Sequence, residues 1–168
     1  MATSAFRWWH GVLLMMIANV ASALPAGYNG DEAFYNDFRS PGVAPPGWAF
    51  APVWFVLNAT SIMALSIVAN SPERSARRTA FLILEAVGWV LFAIFTTVYF
   101  WMKSPILGAA DTAAGLAVAI GSLACCGSID RRAALFLSLR VLWLLLATYV
   151  SVYVALHNAD PFFSSAAG

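Results

Sequence analysis

Five long apolar stretches follow one another along the chain, separated by short segments that carry most of its charged residues. They cover residues 8–24, 48–69, 79–102, 105–126 and 133–157. A helix needs roughly 20 apolar residues to cross about 30 Å of hydrocarbon, and each stretch is close to that length. The pattern predicts an all-α membrane protein, in which residues 1–168 form a single domain of five transmembrane helices. Residues 25–47 form the longest loop, which we interpret as a structured lid.

The composition excludes a soluble globular domain. Apolar residues make up 61% of the chain and charged residues only 10%, whereas a soluble domain is about a quarter charged. The nine Lys and Arg residues nearly balance the eight acids, so the sequence offers no basic surface for nucleic acid. The adjacent Cys125 and Cys126 provide neither a zinc spacing nor a redox pair. We find no nucleophile with its base, no phosphate loop and no metal cluster, and therefore predict neither an enzyme active site nor an obligatory cofactor.

The distribution of basic residues predicts the orientation in the membrane. The loops at one end of the bundle carry six arginines, namely Arg7, Arg74, Arg77, Arg78, Arg131 and Arg132. The loops at the other end carry only Arg39 and Lys103. Because cytoplasmic loops are enriched in Lys and Arg, we expect a cytoplasmic N-terminus, with the lid loop and the C-terminus outside. His10 and His157 then lie at opposite ends of the bundle and cannot together ligate a haem iron.

Charged residues inside the apolar stretches indicate an ion pair. Each costs at least ~2.5 kcal/mol at the bilayer centre unless it is paired or hydrated. Glu85 and Arg140 both lie about 10 Å from the same end of the bundle at 1.5 Å per residue, so we predict that they pair and lock the bundle. A proton or substrate relay is the alternative, and it lacks a third partner. We expect Asp111 to reach Lys103, or to cap a helix that starts at Thr112.

Small residues recur at every fourth position of the fourth stretch. Ala109, Ala113, Ala117 and Gly121 form a seam that allows another helix to approach closely. The seam is compatible with packing inside the bundle and with packing across a dimer, and the sequence does not choose between them.

Prolines and aromatic residues are concentrated between the lid and the second helix. Pro45 and Pro46 impose an extended backbone and are suited to a helix start. Trp48 and Trp54 are six positions apart and share one broad helix face. By itself this pattern is more typical of an aromatic belt at the membrane interface than of a ligand pocket.

The order of these residues is similar to the signature of the TspO/MBR family, the translocator and tryptophan-rich sensory proteins. The matching positions are Phe34, Tyr35, Pro41, Pro45, Pro46, Trp48, Phe50, Trp54 and Leu57. Residues 99–103 resemble the end of the family's third helix, and Trp143, Ala147 and Asn158 fall at the spacing of its fifth. The resemblance implies five transmembrane helices, a first loop that covers a ligand pocket, and a porphyrin or another tetrapyrrole as ligand, with sterols or other lipids as alternatives.

The resemblance also implies a set of ligand-binding residues. These are Tyr35, Pro45, Pro46, Trp48, Phe50, Trp54, Phe92, Phe95, Trp143 and Ala147. Trp8 and Trp89 match no pocket position, so we expect them outside the pocket. Where the family's third helix carries an Asn, a Trp and a Pro, this chain has Phe92, Phe95 and Thr97, and Ser151 replaces an Asn of the fifth helix. The aromatic walls are thus retained while polar groups that orient a ligand are lost.

Two functions from different classes fit this sequence. The first is a membrane protein that binds a flat apolar ligand beneath the lid. Family members are also linked to light-dependent porphyrin breakdown, for which Trp54 and Trp143 are the matching positions. The second is a noncatalytic accessory subunit of a larger photosynthetic or respiratory membrane complex. The expected partners are membrane lipid, a hydrophobic small molecule, and a second copy of the chain or other membrane subunits.

The orientation can be tested with single cysteines that react with a membrane-impermeant label. A cysteine placed between residues 25 and 40 is expected to react from outside the cell. One placed near Arg77 is expected to react only after permeabilisation, because the arginine-rich loops are retained in the cytoplasm. The reverse labelling pattern would show that the assignment is wrong.

Overall fold

The computed structural model describes residues 6–28 and 37–166, and within these ranges the secondary structure is helical, without strands. Five helices are long and apolar enough to cross a membrane, and a sixth is short. Their bounds are α1 Trp8–Tyr28, α2 Phe50–Ala69, α3 Ala76–Thr96, α4 Pro105–Gly127, α5 Arg131–His157 and α6 Pro161–Ala166. The predicted all-α bundle of five membrane-spanning helices is confirmed. The short α6 has no counterpart in the prediction.

Polar capping residues explain why α3 and α5 begin earlier than hydropathy predicts. The Ser75 hydroxyl accepts a hydrogen bond from the backbone N–H of Arg78 at 3.2 Å, so α3 starts at Ala76. The Asp130 carboxylate accepts from the N–H groups of Arg132 and Ala133, so α5 starts at Arg131. Each cap satisfies N–H groups that lack a partner in the first helical turn. The first turns are polar, and an apolar stretch therefore marks only the remainder of each helix.

The fourth helix begins at Pro105, the first residue of the fourth apolar stretch, and not further along. The Ser104 hydroxyl caps α4 by accepting from the N–H of Leu107 at 3.1 Å. Asp111 lies within α4, so the expectation of a helix starting at Thr112 is wrong. Pro105 occupies the first turn, where its missing N–H leaves no hydrogen bond unmade. Asp111 thereby faces the interior described below and caps no helix.

The helices follow the order α1, α3, α4, α5, α2 around the bundle. We call the end at which α2 and α4 begin the lid end, and the end at which α1, α3 and α5 begin the basic end. A tightly packed core lies toward the basic end and consists of Ala64, Leu65, Val68, Phe81, Cys126, Ala133 and Leu137. Many large apolar side chains face outward instead, among them Leu135, Leu142 and Leu156 of α5. Such an exterior suits a lipid environment, where no apolar face needs to be hidden.

The small-residue seam of α4 does not stay on one face. Ala109 is buried, Ala113 and Ala117 are exposed, and Gly121 is half-buried. Because four residues turn a helix by 400°, each step rotates the seam by about 40° around the axis. The seam therefore passes from the bundle interior to the outer surface.

Two asparagines hold chain segments at opposite ends of the bundle in the same way. At the lid end, Asn158 accepts from the backbone N–H of Arg39 at 2.8 Å and donates to its carbonyl at 3.1 Å. At the basic end, Asn70 pairs with the N–H and carbonyl of Phe6, both at 2.8 Å. Each side-chain amide thus replaces a backbone partner. The Asn158 clasp fixes the described part of the lid to the end of α5.

A buried carboxylate lies next to the clasp and connects α4 to α6. Asp160 accepts from the hydroxyl of Ser104 at 2.7 Å, from the N–H of Ile106 at 2.9 Å and, through its other oxygen, from the N–H of Phe163 at 3.1 Å. The Asp160 carboxylate therefore accepts hydrogen bonds from the first turns of both α4 and α6. The lid end of the bundle is therefore held by short-range polar contacts and not by an apolar core.

Limited proteolysis tests the lid clasp. Trypsin cleaves after Arg39, whose side chain is exposed. Asn158→Ala removes both hydrogen bonds to the Arg39 backbone, each worth about 0.5–1.5 kcal/mol, so cleavage at this bond should become about tenfold faster. The readout is the rate at which the fragment ending at Arg39 appears.

Asn70→Ala is the matched control, because it opens an equivalent clasp at the other end of the bundle. It should leave cleavage after Arg39 unchanged. Equal cleavage rates in Asn158→Ala and in the unmodified protein would contradict the role of the clasp.

Candidate binding cavity

A cavity of about 520 Å³ opens within the lid half of the bundle. Its walls come mainly from α2, α3, α4 and α5; α1 adds Ser22, and Pro45 and Pro46 lie at the lid. The packed core fills the basic half, so the cavity ends near the middle of the bundle. A ligand of drug size fits such a volume, since small-molecule sites commonly measure about 300–1,000 Å³.

The residues predicted to bind a ligand are brought together around this cavity. Those that line it are Pro45, Pro46, Trp48, Phe50, Trp54, Phe92, Phe95, Trp143 and Ala147. The tenth, Tyr35, lies outside the described residues. Trp48 is 75% exposed, so its ring stands at the mouth of the cavity and not on an inner wall.

Aromatic rings contact one another across the helices that form the walls. The rings of Trp54 and Phe92 join α2 to α3 with centroids 5.0 Å apart. Phe50 meets Trp143 of α5 edge to face at 5.7 Å. These distances lie in the favourable range for aromatic pairs. The rings thus form a preformed wall of flat apolar surfaces.

The lid side of the cavity is shaped by a π-helical turn, Thr97–Trp101, that follows α3. The turn buries Tyr99, whose ring stacks on Phe95 at 5.4 Å and meets the lid residue Phe38 at 6.4 Å. Gly108 of α4 lies directly against the Tyr99 ring, and a Cβ atom at this glycine would overlap the ring. Two residues after the π turn, Lys103 adopts a left-handed conformation with φ of 53°. Tyr99 itself lines the cavity.

Sequence reasoning missed several residues of the cavity. Trp89, which was expected outside the pocket, lines it, and so do Asn58, Tyr99 and Asp111. The expectation for Trp89 is wrong because its ring lies on the face of α3 that carries Glu85, one turn away. The spacing of four residues from a buried acid was the available signal.

An ion pair forms the floor of the cavity. Arg140 donates to both carboxylate oxygens of Glu85, with Nη1 to Oε2 at 3.1 Å and Nη2 to Oε1 as the second contact. Nη1 also donates to the Ser61 hydroxyl at 3.3 Å. Glu85 and Arg140 each lie nine residues into their helices, so both are about 13 Å from the basic end. The pair connects α3 to α5, and Ser61 adds α2.

Neither histidine takes part in the cavity. His10 Nδ1 accepts from the backbone N–H of Arg7 at 2.9 Å, and His157 Nδ1 lies 2.8 Å from the Tyr153 carbonyl. They occupy the first turn of α1 and the last turn of α5, at opposite ends of the bundle. Among residues 6–28 and 37–166, no three His, Cys, Asp or Glu side chains are grouped so that they can hold a metal ion.

The fold and cavity together define a class: a multi-pass membrane protein whose five helices surround an aromatic cavity beneath a loop. A family model described as the TspO/MBR family matches residues 11–156 of the chain. The chain therefore belongs to the TspO/MBR family. No curated protein sequence matches it at a significant level.

A double-mutant cycle tests the ion pair. Replacing Glu85 or Arg140 singly by Leu leaves the other charge buried without its partner, and should lower the free energy of unfolding by about 3–5 kcal/mol. The double variant should recover much of the loss, because no buried charge remains. Unfolding in mixed micelles, followed by circular dichroism, supplies the four free energies.

Ser61→Ala serves as the reference for this cycle. It removes one hydrogen bond of Arg140 and should cost only about 1 kcal/mol. Single and double variants whose losses simply add would show that the pair contributes no coupling.

Proposed function

We propose that the protein binds a flat, largely apolar ligand in the cavity beneath its lid, within the membrane. The observation that carries the proposal is the aromatic wall around about 520 Å³ of space, with Trp54 opposite Phe92 and Phe50 opposite Trp143. Stacking on such rings tolerates many ring systems and adds to the gain from area burial. By family resemblance, we propose a porphyrin or another tetrapyrrole as the ligand, with lipid as the alternative.

The lid end supplies a plausible route for the ligand. Trp48 stands exposed at the mouth, and the lid is joined to the bundle through the Asn158 clasp. A clasp of two hydrogen bonds is weak enough to open without unfolding the helices. With the arginine-rich loops in the cytoplasm, the mouth faces the outer side of the membrane. Ligand exchange would then require movement of the lid alone.

The competing function is that of an accessory subunit in a larger membrane complex. The exposed Ala113 and Ala117 offer a surface on which another helix can pack closely. Gentle purification separates the two functions. Constant co-migration with other subunits favours the accessory role, whereas a small self-contained oligomer favours ligand binding.

Titration with protoporphyrin tests the ligand-binding function. Added porphyrin should quench tryptophan fluorescence saturably. Trp54→Leu and Trp143→Leu should each weaken binding by about two- to tenfold, because a ring contact is worth about 0.5–1.5 kcal/mol beyond its area. The measured quantity is the dissociation constant from the quenching curve.

Trp8→Leu is the control, since this ring is 79% exposed on α1 and does not line the cavity. Its dissociation constant should equal that of the unmodified protein. Unsaturable quenching of the same size in all variants would mean that porphyrin only partitions into the micelle, and would favour the accessory role.

A further inference from the structure

The deep end of the cavity is lined by hydrogen-bond donors that lack a partner. Asn58, Trp89 and Arg140 are only 4%, 6% and 7% exposed. Asn58 Nδ2, Trp89 Nε1 and Arg140 Nε have no hydrogen-bond partner in the described part of the protein, and neither does Nε1 of Trp143. All four side chains line the cavity. Leaving a buried donor without a partner is unfavourable, so four such groups in one cavity require a reason.

Helix geometry places three of these donors, those of Asn58, Trp89 and Trp143, in one layer. The layer below it contains Ser61, Glu85 and Arg140, which hydrogen-bond to one another. Asn58 precedes Ser61 by three residues on α2, which runs from the lid end to the basic end. Trp89 follows Glu85 by four residues on α3, which runs the opposite way.

Trp143 completes the layer from the third helix. It follows Arg140 by three residues on α5, which runs parallel to α3. Residues three or four apart share a helix face and differ by about 4.5–6 Å along the axis. Each of the three helices therefore presents one unpartnered donor about one turn closer to the lid than the ion pair.

We infer that this layer is a subsite for a neutral carbonyl oxygen carried at one end of the apolar ligand. The inference rests on the proposed function, because the body of the ligand lies against the aromatic walls. A carbonyl oxygen has two lone pairs and no proton to donate, which matches a layer made of donors. The aromatic walls bind the ring system, and the donor layer sets which end of it enters first.

The charges around the layer favour a neutral acceptor over a carboxylate. Glu85 already neutralises Arg140 through two hydrogen bonds. Asp111 adds a second carboxyl group to the cavity lining. A carboxylate ligand would add further negative charge near the middle of the membrane, where a charge is costly. A hydroxyl ligand would need an acceptor for its own proton, whereas the unpartnered atoms of the layer are all donors.

Fluorenone and fluorene test the inference, because they share one flat ring frame and differ mainly by a carbonyl oxygen. Saturable quenching of tryptophan fluorescence in the full-length protein gives a dissociation constant for each compound. The ratio of the two constants is compared between variants, so that partitioning into the micelle cancels. Asn58→Leu should reduce the preference for fluorenone about two- to tenfold, the loss of one hydrogen bond, while fluorene binding stays the same.

Two further variants complete the test: one removes a second donor of the layer, and the other is a control outside the cavity. Trp89→Phe retains an aromatic ring but lacks the N–H group, and should also reduce the preference for fluorenone. Thr60→Val is the matched control on α2, because the Thr60 hydroxyl donates to the Leu57 carbonyl and the residue does not line the cavity. The preference should be unchanged in this control.

The possible outcomes separate this inference from the function on which it rests. If both compounds bind saturably and the preference is the same in Asn58→Leu, Trp89→Phe and the unmodified protein, the carbonyl subsite is wrong and the apolar site stands. Tighter binding of fluorene-9-carboxylate than of fluorenone would overturn the choice of a neutral acceptor. If neither fluorene nor fluorenone binds saturably, both the subsite and the proposed binding function fail.

Discussion

The contact between Arg140 and Glu85 is the constraint on which the rest of the bundle depends. A charged side chain at this depth must be paired, since an isolated charge in the hydrocarbon is strongly unfavourable. The pairing aligns α3 and α5, and the hydrogen bond from Arg140 to Ser61 adds α2. One guanidinium group thereby fixes the rotation and the depth of α2, α3 and α5, which form three of the four main cavity walls. Toward the basic end the helices pack tightly, and toward the lid end they separate around the cavity.

The two halves of the bundle are held together by different physical means. In the basic half, small and apolar residues such as Ala64, Val68 and Ala133 allow the helices to approach closely. In the lid half, bulky aromatic rings keep the helices apart while remaining in contact in pairs, Trp54 with Phe92 and Phe50 with Trp143. Polar contacts at the lid itself compensate for this weaker packing. The cavity therefore lies in the half of the bundle that is closed by a few hydrogen bonds.

The unpartnered donors make the deep end of the cavity polar, although most of the lining residues are apolar. Most of its lining is aromatic or aliphatic, which favours many flat ligands without choosing among them. A small number of buried polar groups is what normally confers orientation and selectivity on an apolar site. Here the polar residues expected from the family pattern are replaced, at Phe92 and at Ser151 for example, and the donors come from other positions. The site has therefore kept its walls while its polar contacts have been rearranged.

Local properties of the sequence were sufficient for the five spans and for the matching depth of Glu85 and Arg140, while the family resemblance supplied the nine described residues that line the cavity. Hydropathy and a rise of 1.5 Å per residue require no knowledge of neighbouring helices. The rotation of each helix was decided only by tertiary packing. That rotation turned Trp89 inward, left Trp48 at the mouth, and carried Asp111 into the cavity from within α4. Because lipid and a protein interior are similarly apolar, hydropathy cannot distinguish a lipid-facing side chain from one that lines a cavity.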